Sequence, residues 1–537
     1  MKIKRSISLV LALVMALGVF TGCGNKKTSN VEELPEGTVT LTVGIPQNSN
    51  VSDYEDNAFT KYLEETANVK LKFSFFSSAA NEYKQQLTLM CSANEVLPDV
   101  LLGFGFDHYI VNQYGEDGYF IDLTGYIEEY APNYKEQLEK LDEETRDYIV
   151  EKGKNTTNGA YYGMPRVLCS APDDLQSDMY INQDWLDKLG LKIPTTVEEL
   201  KAVLTAFKTQ DPNGNGQADE VPMLGKEDMI RYLLNAFVCY RHGEFNVTDG
   251  KVWDPVKTDE FRQALIYANE LVTAGLYNKL SFTISGTSDY KAMISPTSGS
   301  SKVGIWVGAP ERLTNPATDA LSEFVALPAL SDATGKGGYT IAKEPDLTWC
   351  AYITKDCKYP AAAMKLIDAF YLDETISRQR HGEKDVDWLY EEGKKVSGTD
   401  SYVRPTNGEA FFSGNATWCL NACGIMTQWN YLQVADDGGS SRTADINRLA
   451  NEQWKIIENR TEPKEEATRL IYTTEEYEIR EEKSGSVGSY INEQVLLFVS
   501  NEKNPKDDAV WNEFIATLDN LGRAELMDIC QKAYDRQ

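Results

Sequence analysis

Hydrophobic and polar positions alternate with a period of two over Val39–Ile45 (VTLTVGI) and again over Val69–Phe75 (VKLKFSF). A period of two puts successive side chains on opposite faces of a strand, so both stretches predict half-buried strands. Between them, residues 57–67 (NAFTKYLEETA) carry apolar residues at helical spacing, and so do residues 81–91. The short apolar run ending at Leu102 predicts a third, buried strand. This β-α-β-α-β order predicts an α/β body with a mainly parallel sheet. Ligands of open sheets of that kind bind outside the carboxyl ends of the strands, which places the loops after Ile45, Phe75 and Leu102 at the mouth of a site.

The pattern continues along the chain. Met179–Ile181 predicts a strand, followed by a helix over Gln183–Leu189 that Gly190 ends as its C′ glycine. Thr196 is placed to cap a helix over Val197–Phe207, with Glu198 and Glu199 in its first turn, where the helix dipole favours them. Lys302–Trp306, Glu323–Leu327 and Ala351–Thr354 read as further strands, and residues 361–372 and 511–534 as helix-rich. Residues 296–301 and 436–441 are rich in Gly and Ser and read as loops.

The first residues follow a different pattern. Lys2, Lys4 and Arg5 precede the apolar run Ile7–Phe20. That run is shorter than the roughly 20 residues a membrane-spanning helix needs, and fits the apolar segment of a secretory signal peptide over residues 1–22. Phe20-Thr21-Gly22-Cys23 resembles the lipobox of bacterial lipoproteins, with Phe20 where leucine is usual. The resemblance implies cleavage before Cys23, a diacylglyceryl group on its sulfur, and a lipid anchor on the outer face of the cell membrane. Two acyl chains suffice for stable anchoring. Residues 23–38 are polar and aperiodic and read as a flexible tether.

Composition is that of a globular protein: 537 residues, 42% hydrophobic and 25% charged, with a formal charge of −29. So negative a surface repels phosphate backbones, which argues against nucleic acid as a partner. The nine cysteines are scattered. Cys419 and Cys423 stand four apart without a second Cys or His pair, so they do not make a zinc site.

One local motif carries metal chemistry. In Asp211-Pro212-Asn213-Gly214-Asn215-Gly216-Gln217-Ala218-Asp219-Glu220, oxygen side chains fall at loop positions 1, 3, 5 and 9. Gly216 falls at position 6, where an EF-hand loop turns sharply, and Gln217 at position 7 offers its carbonyl. Asp211, Asn213, Asn215, Gln217, Asp219 and Glu220 are therefore the candidate ligands of a structural Ca²⁺. Position 12 is Pro222, so Glu220 has to stand in for the usual bidentate acid. The alternative is a polar Asn-Gly turn without an ion.

These segments carry a wider likeness. Leu97-Pro98-Asp99-Val100, Tyr162-Gly163-Met164-Pro165-Arg166, residues 180–190 (YINQDWLDKLG), the oxygen-rich loop and residues 531–536 (QKAYDR) resemble family 1 extracellular solute-binding lipoproteins. These are receptors of carbohydrate ABC importers. The loop also resembles that of alginate-oligosaccharide receptors. The resemblance implies a two-lobed, periplasmic-binding-protein-like fold of type II with a ligand cleft between the lobes. It implies residues 39–165 with about 350–430 as one lobe, and 166–349 with about 431–537 as the other. It further implies an oligosaccharide as ligand, permease and ATPase subunits as partners, no catalysis, and a protein acting as a monomer.

A sugar site needs flat apolar faces against C–H surfaces and polar groups for hydroxyls. The chain holds nine tryptophans, 29 tyrosines and 19 phenylalanines, most of which belong in a core. Those beside predicted loops are the candidates: Phe104, Phe106, Trp306, Trp349, Trp418 and Trp429. Gln47, Asn48 and Asp53 follow the first strand and can bond hydroxyls, as can Arg166 near a lobe crossing. Two alternatives stand beside this reading. A secreted glycoside hydrolase needs a pair of carboxylates in a cleft, and 82 acids leave room for one. A surface sensor would use the same fold without import.

Overall fold

The computed structural model describes residues 31–168, 178–241, 243–284, 286–297, 299–315, 317–332, 334–340, 346–396, 399–405, 418, 423–426, 441–458, 465–466 and 469–536. Cys23, Trp429, Cys419 and the loop over 436–440 lie outside the described residues.

Among the described residues, ten strands form the two largest sheets. They are β1 (Val39–Pro46), β2 (Val69–Phe76), β3 (Val100–Phe106), β4 (Met164–Leu168), β5 (Met179–Asn182), β6 (Val221–Leu224), β7 (Val303–Val307), β8 (Phe324–Ala326), β9 (Asp346–Ile353) and β10 (Gly424–Met426). The first sheet has the order β10-β4-β9-β3-β1-β2 and the second β8-β5-β7-β6. Each has its own core. Buried clusters led by Leu41, Val43 and Val100, and by Leu101, Phe104 and Tyr352, pack on the first. Clusters led by Ile181, Trp185 and Phe207, and by Tyr180, Trp306 and Phe324, pack on the second. None of these four clusters draws on both sheets, so the molecule has two lobes.

The expected parallel sheet holds for β1, β2 and β3. The difference lies in one strand per lobe: β9 runs antiparallel to β3 and β4, and β5 runs antiparallel to β7 and β8. The reason is connectivity. β5 is the first described strand after β4, and β9 the first after β8, so each receives the chain from the other lobe. A strand that starts at the shared edge has to run away from it. The strands that run toward that edge are therefore antiparallel to it, and their carboxyl ends at residues 46, 76, 106, 168 and 426 gather on the side of the second lobe. The ends of β6, β7 and β8 gather likewise on the second sheet. The first sheet keeps residues up to 168 and resumes at 346, which puts Arg166 inside β4 of the first lobe.

Helices α1 (Ala58–Ala67), α2 (His108–Glu116) and α3 (Glu143–Gly153) flank the first sheet. Helices α4 (Gln183–Leu189), α5 (Val197–Thr209) and α6 (Glu227–Asn235) belong to the second. The sequence signals explain their limits. Asn57 caps α1 by accepting from the Phe59 N–H. Gly190 closes α4 in the left-handed conformation (φ 66°), which glycine adopts without a Cβ clash. The Thr196 hydroxyl accepts from the Glu199 N–H at the start of α5. Three helices close the described residues; the long α7 (Thr474–Val499) opens with a capping box between Thr473 and Glu476, and the last, α8 (Arg523–Arg536), packs on it. Among the described residues no helix is long and apolar enough to cross a membrane.

Candidate functional site

The carboxyl edge of the first sheet is built from the ends of β1 and β2 and the turn that follows β1. The backbone N–H of Gln47 bonds the Phe76 carbonyl at 2.9 Å, which holds the two strand ends together and leaves the Gln47 side chain exposed. The Asn48 side-chain oxygen accepts from the Asn50 N–H at 2.9 Å, and its own N–H donates to the Tyr54 hydroxyl at 2.6 Å. Asp53 is exposed and accepts the N–H groups of Glu55 and Asp56 at 2.9 and 2.8 Å. Asn48 and Asp53 thus spend acceptor capacity on shaping the turn, and Gln47 is the freest of the three to reach a hydroxyl.

Behind this turn lies an aromatic cluster that the sequence-based candidates largely missed. Val69, Leu71, Phe73 and Phe75 share one face of β2, because alternate residues point the same way. The first two are buried, Phe73 is half-buried, and Phe75 stands 45% exposed at the strand end. The Phe73 and Phe75 rings are nearly parallel, 6.4 Å between centroids, and Tyr54 meets Phe75 edge-on at 4.7 Å. Phe75 therefore presents an apolar ring at the edge where ligand binding is expected. The signal was the alternation itself, which runs on unbroken to the last residues of β2, past the point where the core ends.

The other aromatic candidates are core residues, and the structure corrects the expectation of open rings. Phe104 and Phe106 are 0% and 1% exposed and pack with Phe76 and Tyr83. Gly103 has φ 77°, and β9 shifts register between Trp349 and Ala351 opposite it. This bulge turns Phe104 and Phe106 onto the face shared with Leu101. Trp349 is buried against His108, 4.9 Å between rings. Burial pushes the His108 imidazole down to about 3, so it is neutral. Trp306 is buried between Tyr180 and Phe324. Trp418 is 3% exposed, and its indole N–H donates to the Thr60 hydroxyl at 2.7 Å. It backs the exposed cluster through Phe73, 5.0 Å away. Arg166 is half-buried in β4, opposite Thr348 and Gly424.

On the second lobe, β6 ends at Leu224 and α6 begins at Glu227. The turn is pinned by the Gly225 N–H on the Ser281 hydroxyl (3.1 Å) and the Tyr277 hydroxyl on the Gly225 carbonyl (2.7 Å). Beside it opens a cavity of about 180 Å³, with Lys226 and Glu227 at the rim and Ile230, Phe282 and Val495 among its lining.

The oxygen-rich loop links α5 to β6. Asp211 accepts the N–H groups of Asn215 and Gly216 at 3.1 and 3.0 Å. Asn213 accepts from Asn215 N–H at 3.0 Å, and Asn215 from Gln217 N–H at 2.7 Å. These bonds coil the backbone around its own side-chain oxygens. Asp219 is held by Lys302 at 2.6 Å and by the Asn215 and Asn213 amides at 2.9 and 3.1 Å. Lys302 above all pulls the Asp219 carboxyl down to about 2. Glu220 differs. Its Oε1 is buried with no hydrogen-bond partner, and burial, then repulsion from Asp211 and Asp219, raises its pKa. A buried carboxylate oxygen without a donor, in the negative field of Asp211 and Asp219, is a group that a cation could satisfy. Among the described residues no three His, Cys, Asp or Glu side chains converge as a ready ligand set.

The family of bacterial extracellular solute-binding proteins matches residues 48–375. The chain belongs to that family. This solute-binding protein is 28% identical, over 305 residues, to the fructooligosaccharide ABC transporter substrate-binding protein FusA of Streptococcus pneumoniae serotype 4 (strain ATCC BAA-334 / TIGR4), with 52% of this chain and 54% of FusA covered. It thus spans about half the length of that curated relative. Its fold is shared along nearly the whole chain. A human-milk-oligosaccharide (HMO) binding, ABC-transporter-associated protein from Bifidobacterium longum infantis ATCC 15697 superposes with TM-score 0.74, 21% identity and 93% and 99% of the two chains covered. The S. pneumoniae FusA EF-hand mutant in complex with fructo-nystose superposes with TM-score 0.69, 20% identity and the same coverage.

Proposed function

We propose that this protein captures an oligosaccharide between its two lobes outside the cell and delivers it, unaltered, to the permease of an ABC importer. The observation that carries the reading is the edge where Phe75, backed by the half-buried Phe73 and the buried Tyr54, presents an exposed ring beside Gln47, Asn48 and Asp53. A ring face beside hydroxyl-bonding side chains is the chemistry a sugar requires. The topology supports it, because the strand ends of both lobes gather where the chain crosses between them. The FusA likeness supports a carbohydrate as the solute. In this reading residues 39–168 with 346–426 make the first lobe, and 178–340 with 441–536 the second. Cys23 carries the lipid that holds the protein at the membrane, and the receptor works as a monomer.

The reading includes a structural Ca²⁺ held by Asp211, Asn213, Asn215, Asp219, Glu220 and the Gln217 carbonyl. The unpartnered Oε1 of Glu220 supports it, and so does the EF-hand named for the FusA structure. Bound there, the ion would offset two of the three acid charges, Lys302 already pairing with Asp219, and fix the link between α5 and β6 without taking part in chemistry.

Calorimetric titration of the purified protein with fructo-nystose, short oligouronides and dipeptides tests the function, with mass spectrometry of each mixture afterwards. Saturable binding of an intact glycan is the expected result. Release of cleaved products, or binding of the peptides alone, overturns it.

A further inference from the structure

Helix α7 contains Ser484-Gly485-Ser486-Val487-Gly488-Ser489 in its interior. Glycine is among the least favourable residues for a helix interior, because it orders the most flexible backbone and buries no side chain. A helix keeps glycine where the chain needs a positive φ or a close approach. Neither applies here. Gly485 and Gly488 are absent from the residues with positive φ. A Cβ built on either meets nothing within 4 Å. Packing of this conformation does not account for them.

The two halves of the helix are held in different ways. Every fully buried residue of α7 lies at or beyond Val487: Val487, Ile491, Gln494, Val495, Phe498 and Val499. That half is rooted in the apolar core of the second lobe. The half before Gly485 is held by polar and ring contacts, and part of them reach the first lobe. Tyr477 stacks on Tyr109 of α2 at 4.9 Å and 15°. The Tyr109 hydroxyl donates to Glu478 at 2.9 Å. Just ahead of the helix, Lys152 of α3 donates to the Leu470 carbonyl at 3.4 Å, and Arg469 pairs with Glu144 at 3.1 Å. Toward its own lobe this half has ion pairs, Arg536 with Glu476 and Arg480 with Glu244. Partly exposed pairs of this kind re-form easily after small shifts, whereas an apolar core does not. A cavity of about 100 Å³, lined among others by Arg480, Ser484, Val487 and Gly488, lies alongside the junction and leaves room for it to move.

We infer that α7 is a jointed strut: it bends at residues 484–489 so that its first half follows the first lobe while its second half stays fixed in the second. Helix bends concentrate at Gly/Ser pairs, and the sequence puts one where anchoring changes from one lobe toward the other. This rests on the proposed capture of a ligand between the two lobes, which requires them to part and close, and it concerns how that motion is accommodated, not what is bound.

The test is hydrogen exchange of the ligand-free protein and of Gly485→Ala/Gly488→Ala, together with the distance distribution between labels at exposed Glu129 and Thr205, attached through non-natural amino acids. The wild type is expected to exchange faster over 484–489 than over 490–499. The double variant should melt at a higher temperature, slow exchange at 484–489 by about fivefold or more, and narrow the inter-label distribution. Two results overturn the inference: a lower melting temperature, which would mean the glycines serve packing, or slowed exchange with an unchanged distribution, which would make the joint irrelevant to lobe motion. Failure of every glycan to bind leaves this test intact and counts against the proposed ligand alone.

Discussion

Replacing Glu220 with glutamine should change stability with opposite sign in the presence and absence of calcium. Without the ion, the wild type keeps a buried carboxylate oxygen with no donor, close to Asp211 and Asp219. Leaving such a group unsatisfied costs about 1–3 kcal/mol, and a neutral amide of the same shape relieves the charged part of that cost. We take about 1 kcal/mol as the gain of Glu220→Gln, or roughly 2–4 °C for a domain the size of one lobe. With calcium at about a hundred times its dissociation constant, binding stabilises the wild type by about 2.7 kcal/mol, and the variant forfeits most of this with its lost ligand charge. The pH dependence fixes the sign independently. A folded-state pKa raised above the ordinary carboxylate value means the folded protein holds that proton more tightly than the unfolded chain. Protonated Glu220 therefore contributes stability below its ordinary range, and this is lost as pH rises through the raised value. Glutamine is neutral throughout, so without calcium the advantage of the variant should appear only above that pH. The assay is a calorimetric melt of both proteins from pH 4 to 8, with EGTA or with calcium. A melting temperature indifferent to calcium, or a variant destabilised equally in both conditions, refutes the argument.

Further outcomes follow from other residues. Phe75→Ala should weaken glycan binding about tenfold, since covering roughly 50 Å² of ring at 25 cal/mol per Å² is worth a little over 1 kcal/mol. Phe75→Trp should bind at least as well as the wild type, and equal affinity for the Ala and Trp variants in calorimetric titration would remove Phe75 from the site. Asp254→Asn should destabilise the second lobe by about 3–5 kcal/mol in urea unfolding, because it strands Arg523, paired with Asp254 at 2.8 Å with both side chains 3% exposed. Burial, then the nearby Arg480, lowers the Lys152 ammonium to about 8. The folded state thus holds that proton less tightly than the unfolded chain, so stability should rise from about pH 8 toward 10.5, and Lys152→Met should flatten that rise in melts across the range.

The elements were legible where local chemistry decides them. The alternation in β1 and β2, the Thr196 cap and Gly190 appear where the sequence placed them, because each depends on residues within one turn. The antiparallel runs of β5 and β9 were not legible, since direction is set by which lobe the chain has just left. Phe104 and Phe106 were misjudged for a related reason. The bulge at Gly103 depends on how β9 lies across β3, a contact more than two hundred residues away in sequence. Phe75 was passed over because exposure is a property of the sheet edge, and β2 reads the same whether its last ring is covered or bare.

The position of β9 also governs how the protein can be made. It is the strand that joins β3 to β4 in the first sheet, and it arrives after the strands of the second sheet. β10, the outer neighbour of β4, arrives later still, at residues 424–426. A ribosome must therefore synthesise most of the polypeptide before the first lobe can seal, and the early strands wait with an open flank. If the chain is exported as proposed, that delay is useful: the segment that leaves the ribosome first is among the last to become too rigid to pass.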